Sequence, residues 1–299
     1  MHSGDAAGRG LRGRLCCDHH ENEGTALTGS GVAGVAAEIR PGSAGYPSRV
    51  ANRLARPATL YVLGNPGLLT ASPAVAVAGA RAAPPAALAD AAAIGAECAK
   101  RGWMVVTGGA RGVDAAAVEG ALSAGGRALV VLAEGIEGGK ARAMLRQYPA
   151  EGVAVVSQFA PRAAWKSWQA MVRNGLILAF ADALVAVAFG ESGERAASPG
   201  TASKQALSGT LDAVVKATGV AGKPGWEEFA GAWSLSPIPR SDRQTVDTRA
   251  VHLATSPAAA IAEIAARLAA AEPANSLPSA RARGEIDERT QPPLFVLER

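Results

Sequence analysis

The sequence predicts an α/β protein: a three-layer α/β/α sandwich on a doubly wound, mostly parallel sheet. Three observations lead there. Apolar runs of strand length alternate with helical segments. The runs are apolar at nearly every position, as in strands covered on both faces. Glycine and polar residues gather just past the end of each run. In open sheets of this kind ligands bind outside the carboxyl ends of the strands, so those ends are where a site is expected.

The elements follow in order. "RVANRL" reads as a short helix before a proline break, and "TLYVLG" as a strand closed by Asn65-Pro66-Gly67. "AVAVAG" is a strand. "PAALADAAAIGAECAKRG" has helical spacing, with Leu88, Ala91, Gly95 and Cys98 on one face and Gly102 to stop it. "WMVVTGG" is the next strand and "VDAAAVEGALSAGG" a helix ending in glycine. "ALVVLAEG", "GVAVVSQF" and "ADALVAVAFG" are further strands, the last preceded by a helix over residues 165–179. After Gly209 the pattern is mixed, with several breakers, until "SPAAAIAEIAARLAAAE" gives a helix with Ser256 as N-cap and Pro257 at its first position. Residues 1–44 are rich in Gly, Ala, Ser and charge without a sustained period, and are expected to be a disordered tail. Residues 45–272 are expected to form the folded domain and 273–299 a flexible tail.

Hydrophobic residues at 48% suffice for a core, but aromatics are 4% and alanine is abundant, so the buried area must come from Val, Leu and Ile in the strands. A net charge of +4 decides nothing by itself. Its distribution is more informative. Between Gly138 and Ala181, Lys140, Arg142, Arg146, Arg162, Lys166 and Arg173 are opposed by Glu151 alone, and Trp165 and Trp168 fall in the same stretch. Three cysteines (Cys16, Cys17, Cys98) make no disulfide framework. There is no apolar leader and no apolar run of membrane-spanning length, so a cytoplasmic protein without membrane association is expected. "CCDHH", Cys16 to His20, holds metal-ligand types, but vicinal cysteines and adjacent histidines rarely converge on one ion and no second ligand cluster follows, so no metal is expected. His2, His19 and His20 lie in the tail and His252 in the mixed segment. No nucleophile–histidine pair can be drawn, and no catalytic residue or cofactor is expected.

The glycine turn "TGGARGVD", Thr107 to Asp114, carries the functional question. As a dinucleotide site it fails, because G-x-G-x-x-G is not satisfied and no acidic residue ends a following strand about 20 positions on. A short-chain dehydrogenase would also need a tyrosine four residues before a lysine, and Tyr46, Tyr61 and Tyr148 lack one. A P-loop needs G-K-[ST], and the chain has Arg111-Gly112-Val113. What remains is a cradle of backbone amides at a helix N-terminus, with Gly108, Gly109 and Gly112 admitting a phosphate, Arg111 adding charge, and Asp114 capping the helix or holding Arg111. A tight strand–helix turn with nothing bound is the competing explanation. The neighbouring tips favour a ligand: Gly79 and Arg81, Arg173-Asn174, and the glycine–hydroxyl turn at Gly200-Thr201 all offer groups for an anion. Lys166 is the better placed of the lysines, while Lys140, Arg142 and Arg146 read as a solvated helix face.

Taken together, "LYVLGNPGLL … VAVAGAR … WMVVTGGARGVDAAAVEGAL … ALVVLAEGIE … YP … GVAVVSQFAP … MVRNGLILAFADALVAVAFGESG … GTASKQA" resembles the DNA-processing protein A (DprA/Smf) family, strongest over residues 45–208. The resemblance implies an extended Rossmann-like fold, single-stranded DNA as partner, a homodimer, and delivery of the strand to RecA recombinase in natural transformation. It implies that the family's G-S/T-R motif falls on Gly79-Ala80-Arg81, its S-G-x-A-x-G-x-D motif on Thr107, Gly108, Ala110, Gly112 and Asp114, and its R-N-R motif on Arg173-Asn174-Gly175. Its late G-T turn falls on Gly200-Thr201. Five departures stand out: Ala80 for a hydroxyl residue, Val118 for a histidine, Gly175 for the second arginine, no legible winged-helix domain after Ser208, and no legible helical N-terminal domain before Gly45. Lys166 and Arg173 would track phosphates, and Trp165 and Trp168 would stack bases.

A rival comes from the wider superfamily, whose nucleoside-monophosphate phosphoribohydrolases use P-G-G-x-G-T-x-x-E. Here Lys204 stands where the glutamate would be, so hydrolysis is not expected, while non-catalytic nucleotide sensing stays open.

Overall fold

In a computed structural model of the chain the described residues are 37–148, 151–189, 209–220, 222–238 and 246–271. All the described residues belong to one compact unit. The strands are β1 (Ala37–Ile39), β2 (Leu60–Gly64), β3 (Ala74–Ala78), β4 (Met104–Thr107), β5 (Arg127–Val131), β6 (Val153–Ser157), β7 (Ala183–Ala186), β8 (Ala232–Ser234) and β9 (Val251–Leu253). The helices are α1 (Ser48–Arg53), α2 (Pro85–Lys100), α3 (Val113–Ser123), α4 (Gly139–Gln147), α5 (Ser167–Phe180), α6 (Gly209–Val220) and α7 (Pro257–Ala271).

They build one nine-stranded sheet in the order β1-β2-β6-β5-β4-β3-β7-β8-β9. From β6 to β9 every pairing is parallel, and β2 runs antiparallel to both β1 and β6. This is the doubly wound, Rossmann-like α/β fold. From β3 the chain winds one way through β4, β5 and β6, then returns to the other side of β3 with β7. The direction of winding therefore reverses between β3 and β7, the place at which open sheets of this kind bind ligands.

The uniform apolar runs are explained by burial on both faces. All residues of β4, β6 and β7 are buried. Along β3, Ala74 and Ala76 face a core shared with α1, α5 and α6, while Val75 and Val77 face α2, α3 and α7. The buried face of α2 is Ala87, Ala91, Ile94, Gly95 and Cys98, close to the stripe expected from spacing. Ser256 caps α7 as expected, its Oγ accepting from the Ala259 N–H at 3.2 Å with Pro257 leading the helix.

Regular structure is present ahead of the expected boundary after residue 44, because β1 pairs with β2 from Ala37 to Ile39. In the segment without a legible pattern, α6, β8 and β9 extend the sheet and its cover, with Trp233 fully buried.

At the amino-terminal edge of the sheet, opposite the tips, the buried Asp182 gathers a polar network. Its carboxylate accepts from the Ala74 N–H at 2.8 Å and Ser72 Oγ at 3.1 Å, and pairs with Arg49 at 3.2 Å and Arg53 at 3.7 Å. Arg53 is itself buried, donates to the carbonyls of Ala179 and Ala181, and lies over the Trp226 ring. The network locks α1 onto the end of α5 and the start of β7.

Candidate nucleic-acid interface

The carboxyl ends of β3 and β4 meet directly. After β3 comes Gly79-Ala80-Arg81, and the β4–α3 turn crosses it so closely that the Val113 N–H donates to the Ala80 carbonyl at 3.3 Å. Gly112 makes the crossing possible: its φ is +84°, and a Cβ there would meet the Ala80 oxygen and lie 2.6 Å from that of Arg81. Gly79 lies beneath the Val113 side chain. Arg81 is exposed and has no hydrogen bond or ion pair among the described residues, and Arg111, at the apex of the turn, is likewise exposed and unpaired.

The amides of the turn are divided. Gly108 N–H and Ala110 N–H both donate to Asp114 Oδ2, at 3.0 and 3.3 Å, and Gly109 N–H donates to Thr107 Oγ1 at 3.1 Å. Asp114 is thus the turn's internal anion. It takes neither of its two expected roles: the N-cap of α3 is Gly112, with no side-chain cap, and Asp114 bonds the preceding turn in place of the helix end or Arg111. The expectation that Gly108 and Gly109 offer amides to a ligand is corrected accordingly, since both are satisfied within the chain. The N–H groups of Arg111 and Gly112 have no acceptor among the described residues.

Burial pushes the Asp114 carboxyl above the usual 3.8, against the pull of Arg173 and the two amides. Between that raised pKa and 3.8 the folded protein binds a proton that the unfolded chain does not. The group's contribution to stability therefore grows as pH falls through the raised value and is complete below 3.8. Relative to Asp114→Asn, whose amide oxygen still accepts from both N–H groups, the unmodified protein is expected to gain in Tm on acidification. Thermal scans across pH check this, and a difference that is constant or shrinks contradicts it.

Arg173 and Asn174, expected to touch phosphate, are buried. Arg173 reaches from α5 beneath the tips, donates from Nη1 to the Val131 carbonyl at 2.8 Å, and lays its guanidinium against Gly108. A Cβ on Gly108 would collide with that guanidinium. Burial lowers the Arg173 pKa, while Asp114 and Glu134 hold it up. The Asn174 amide donates to Asp212 at 2.7 Å and to the Gly209 carbonyl at 3.1 Å, tying α5 to α6. Both residues brace the site from below, a correction with a plain cause: both side chains are buried, Arg173 held through Nη1 on the Val131 carbonyl with its buried Nε left without a partner among the described residues, and Asn174 held on α6. Gly108→Ala is expected to displace Arg173 and cost about 1–3 kcal/mol of stability, read by chemical denaturation; an unchanged midpoint contradicts this packing.

Lys140, which the sequence reads as part of a solvated helix face, stands over the β4–α3 turn. It is the second residue of α4, the helix that follows the loop after β5, and its Cε passes 3.7 Å from where a Cβ of Gly109 would stand. Its contact with Glu134 is long, 3.8 Å, and its side chain is 42% exposed. Desolvation lowers its pKa, with Glu134 opposing and Arg173 and Arg81 adding to the fall. The clue available in the sequence was position, a lysine near the start of a helix that follows the loop after a strand.

Beyond the β6 tip, Lys166 is exposed at the N-cap of α5 and unpaired among the described residues. Trp165 and Trp168 are 51% and 55% exposed, and Trp168 meets Phe159 edge to face at 5.8 Å. Neither indole is buried in the core. Gly200 and Thr201, and Cys16 to His20, lie outside the described residues. Among the described residues no three His, Cys, Asp or Glu side chains gather as a metal site, and no helix is long and apolar enough to cross a membrane.

The geometry defines an α/β protein with exposed arginines, unpaired among the described residues, at the tips of β3 and β4. The chain belongs to the DNA recombination-mediator protein A family, whose profile matches residues 38–212, more than half its length. No curated protein matches the chain. Among solved structures, DNA processing protein A of Streptococcus pneumoniae is similar at 22% identity and a TM-score of 0.58, over 77% of this chain and 75% of its own. The Helicobacter pylori protein, described as having a unique single-stranded DNA binding mode, is similar at 19% identity and a TM-score of 0.51, over 69% and 82%. At these identities the two likenesses speak for the fold.

Proposed function

We propose that this protein binds single-stranded DNA without catalysis, capturing phosphates at the β3 and β4 tips and stacking bases on Trp165 and Trp168. The observation that carries the reading is the set of exposed cations, Arg81, Arg111 and Lys166, that have no carboxylate partner among the described residues and stand on the same sheet edge as two half-exposed indoles. Backbone phosphates would meet Arg81, Arg111, the free N–H groups of Arg111 and Gly112, Lys140 and Lys166. Gly200 and Thr201 remain part of the proposed site. A duplex keeps its bases stacked inside, so exposed indoles suit a single strand.

Family membership and the single-stranded DNA binding described for the Helicobacter pylori protein support a role in DNA processing. In that role the protein would be a cytoplasmic homodimer that passes the strand to RecA during natural transformation and recombination. A competition experiment tests the binding step. Labelled single-stranded oligonucleotide bound to the protein is challenged with unlabelled single strand, duplex or mononucleotide. Displacement by single strand far ahead of the other two is expected. Displacement by mononucleotide at comparable concentration would point instead to a nucleotide sensor.

A further inference from the structure

Beside Trp165 lies a depression of about 520 Å³ that phosphate capture does not use, lined by Glu134, Glu137, Pro161, Arg162 and the indole. Its two walls, the loop after β5 and the loop before α5, are stapled by backbone hydrogen bonds: Gly135 N–H to the Ala163 carbonyl at 2.8 Å and Glu137 N–H to the Pro161 carbonyl at 2.9 Å. Shape and width are therefore set before anything binds, which lowers the cost of ordering a ligand. One wall is an aromatic face that is half exposed.

The charges in this depression are the wrong sign for a phosphate. The Glu134 side chain is only 20% exposed, and its nearest cation, Lys140, stands at 3.8 Å, beyond hydrogen-bonding distance. Neither of its oxygens has a hydrogen-bond donor among the described residues. Glu137 accepts from Arg162 Nε through one oxygen at 2.7 Å and leaves the other open. A largely buried carboxylate without donors is a strong acceptor in want of an N–H or O–H. Next to a stacking surface, the ligand chemistry that supplies one is the edge of a nucleobase carrying an amino group.

We propose that this depression reads the base stacked on Trp165 and favours cytosine, whose N4 amino group donates to Glu134, over thymine, whose O4 would face the carboxylate as a second acceptor. The inference rests on the single-strand reading above and adds a preference to it. Phosphate capture at Arg81 and Arg111 is indifferent to base, and the pocket makes one position selective.

The test compares oligo-dC and oligo-dT of equal length at neutral pH, by anisotropy on the full chain, with Glu134→Ala and Glu134→Gln alongside. The protein is expected to bind oligo-dC about five-fold more tightly, the low end of what one base-edge contact discriminates. In Glu134→Ala the preference should vanish through opposite changes: weaker binding of oligo-dC, and equal or tighter binding of oligo-dT once a negative charge is gone. Glu134→Gln, which keeps the size and one acceptor, should retain part of the preference. A purely architectural role for Glu134 would move both oligonucleotides together and so overturn the pocket. Equal, salt-sensitive binding of the two by the unmodified protein would also overturn it and leave the single-strand reading standing. Binding of neither would remove both.

Discussion

Replacing Trp165 and Trp168 together with alanine is expected to weaken single-strand binding at least ten-fold while leaving the Tm unchanged. Base–aromatic stacking is worth about 1–3 kcal/mol per base, and both indoles are more than half exposed, at 51% and 55%, so little core is lost with them. Trp168 also loses its edge-to-face contact with the partly buried Phe159. The loss should persist at high salt, because stacking releases no counterions, whereas phosphate contacts fade. Titrations at two salt concentrations check this. Full affinity in the double variant would remove the indoles from the interface.

The second large effect lies at the far edge of the sheet. Asp182→Ala is expected to cost about 3–5 kcal/mol of folding stability, the usual penalty for leaving a buried partner charge uncompensated. Arg53 would then be buried with no carboxylate in contact; burial already lowers its pKa, and Asp182 is the leading influence holding it up. Ala74 N–H and Ser72 Oγ would lose their acceptor in the same step. Denaturant titration measures the loss. Any variant that stays folded should bind DNA normally, since the network lies opposite the strand tips; a selective binding defect would show that the two edges are coupled.

The parts of the fold visible in the sequence are those whose pattern follows from local burial. β3 to β7 could be seen because each is covered on both faces and so apolar throughout. β1, β8 and β9 could not, because three residues are too few to display a period, and Trp233 and His252 carry no strand signature by themselves. The cap of α7 was visible because Ser256 and Pro257 act within one turn of their own positions.

For the site, the glycine turn was legible but the occupant of its amides was not. Asp114 reaches back four and six residues to Ala110 and Gly108, a distance set by the turn's shape more than by the residue order. Arg173 looked like a ligand-binding arginine because it precedes an apolar run. Its actual place depends on Gly108, 65 positions away, having no side chain to exclude it. Lys140 was passed over inside a charged stretch, and topology is what brings it over the β4 turn. Arg81 keeps its expected position at the β3 tip, exposed and without a partner among the described residues.

Arg81 therefore gives the most direct measurement: the salt dependence of single-strand affinity for the unmodified protein and for Arg81→Ala, by fluorescence anisotropy with a labelled oligonucleotide. If phosphates are captured at the β3 tip, binding falls steeply with salt. The substitution should weaken binding at low salt and flatten the slope of log K against log salt by about 0.7, one phosphate contact on a single strand. An Arg81→Ala protein with unchanged affinity and slope would contradict phosphate capture at this tip.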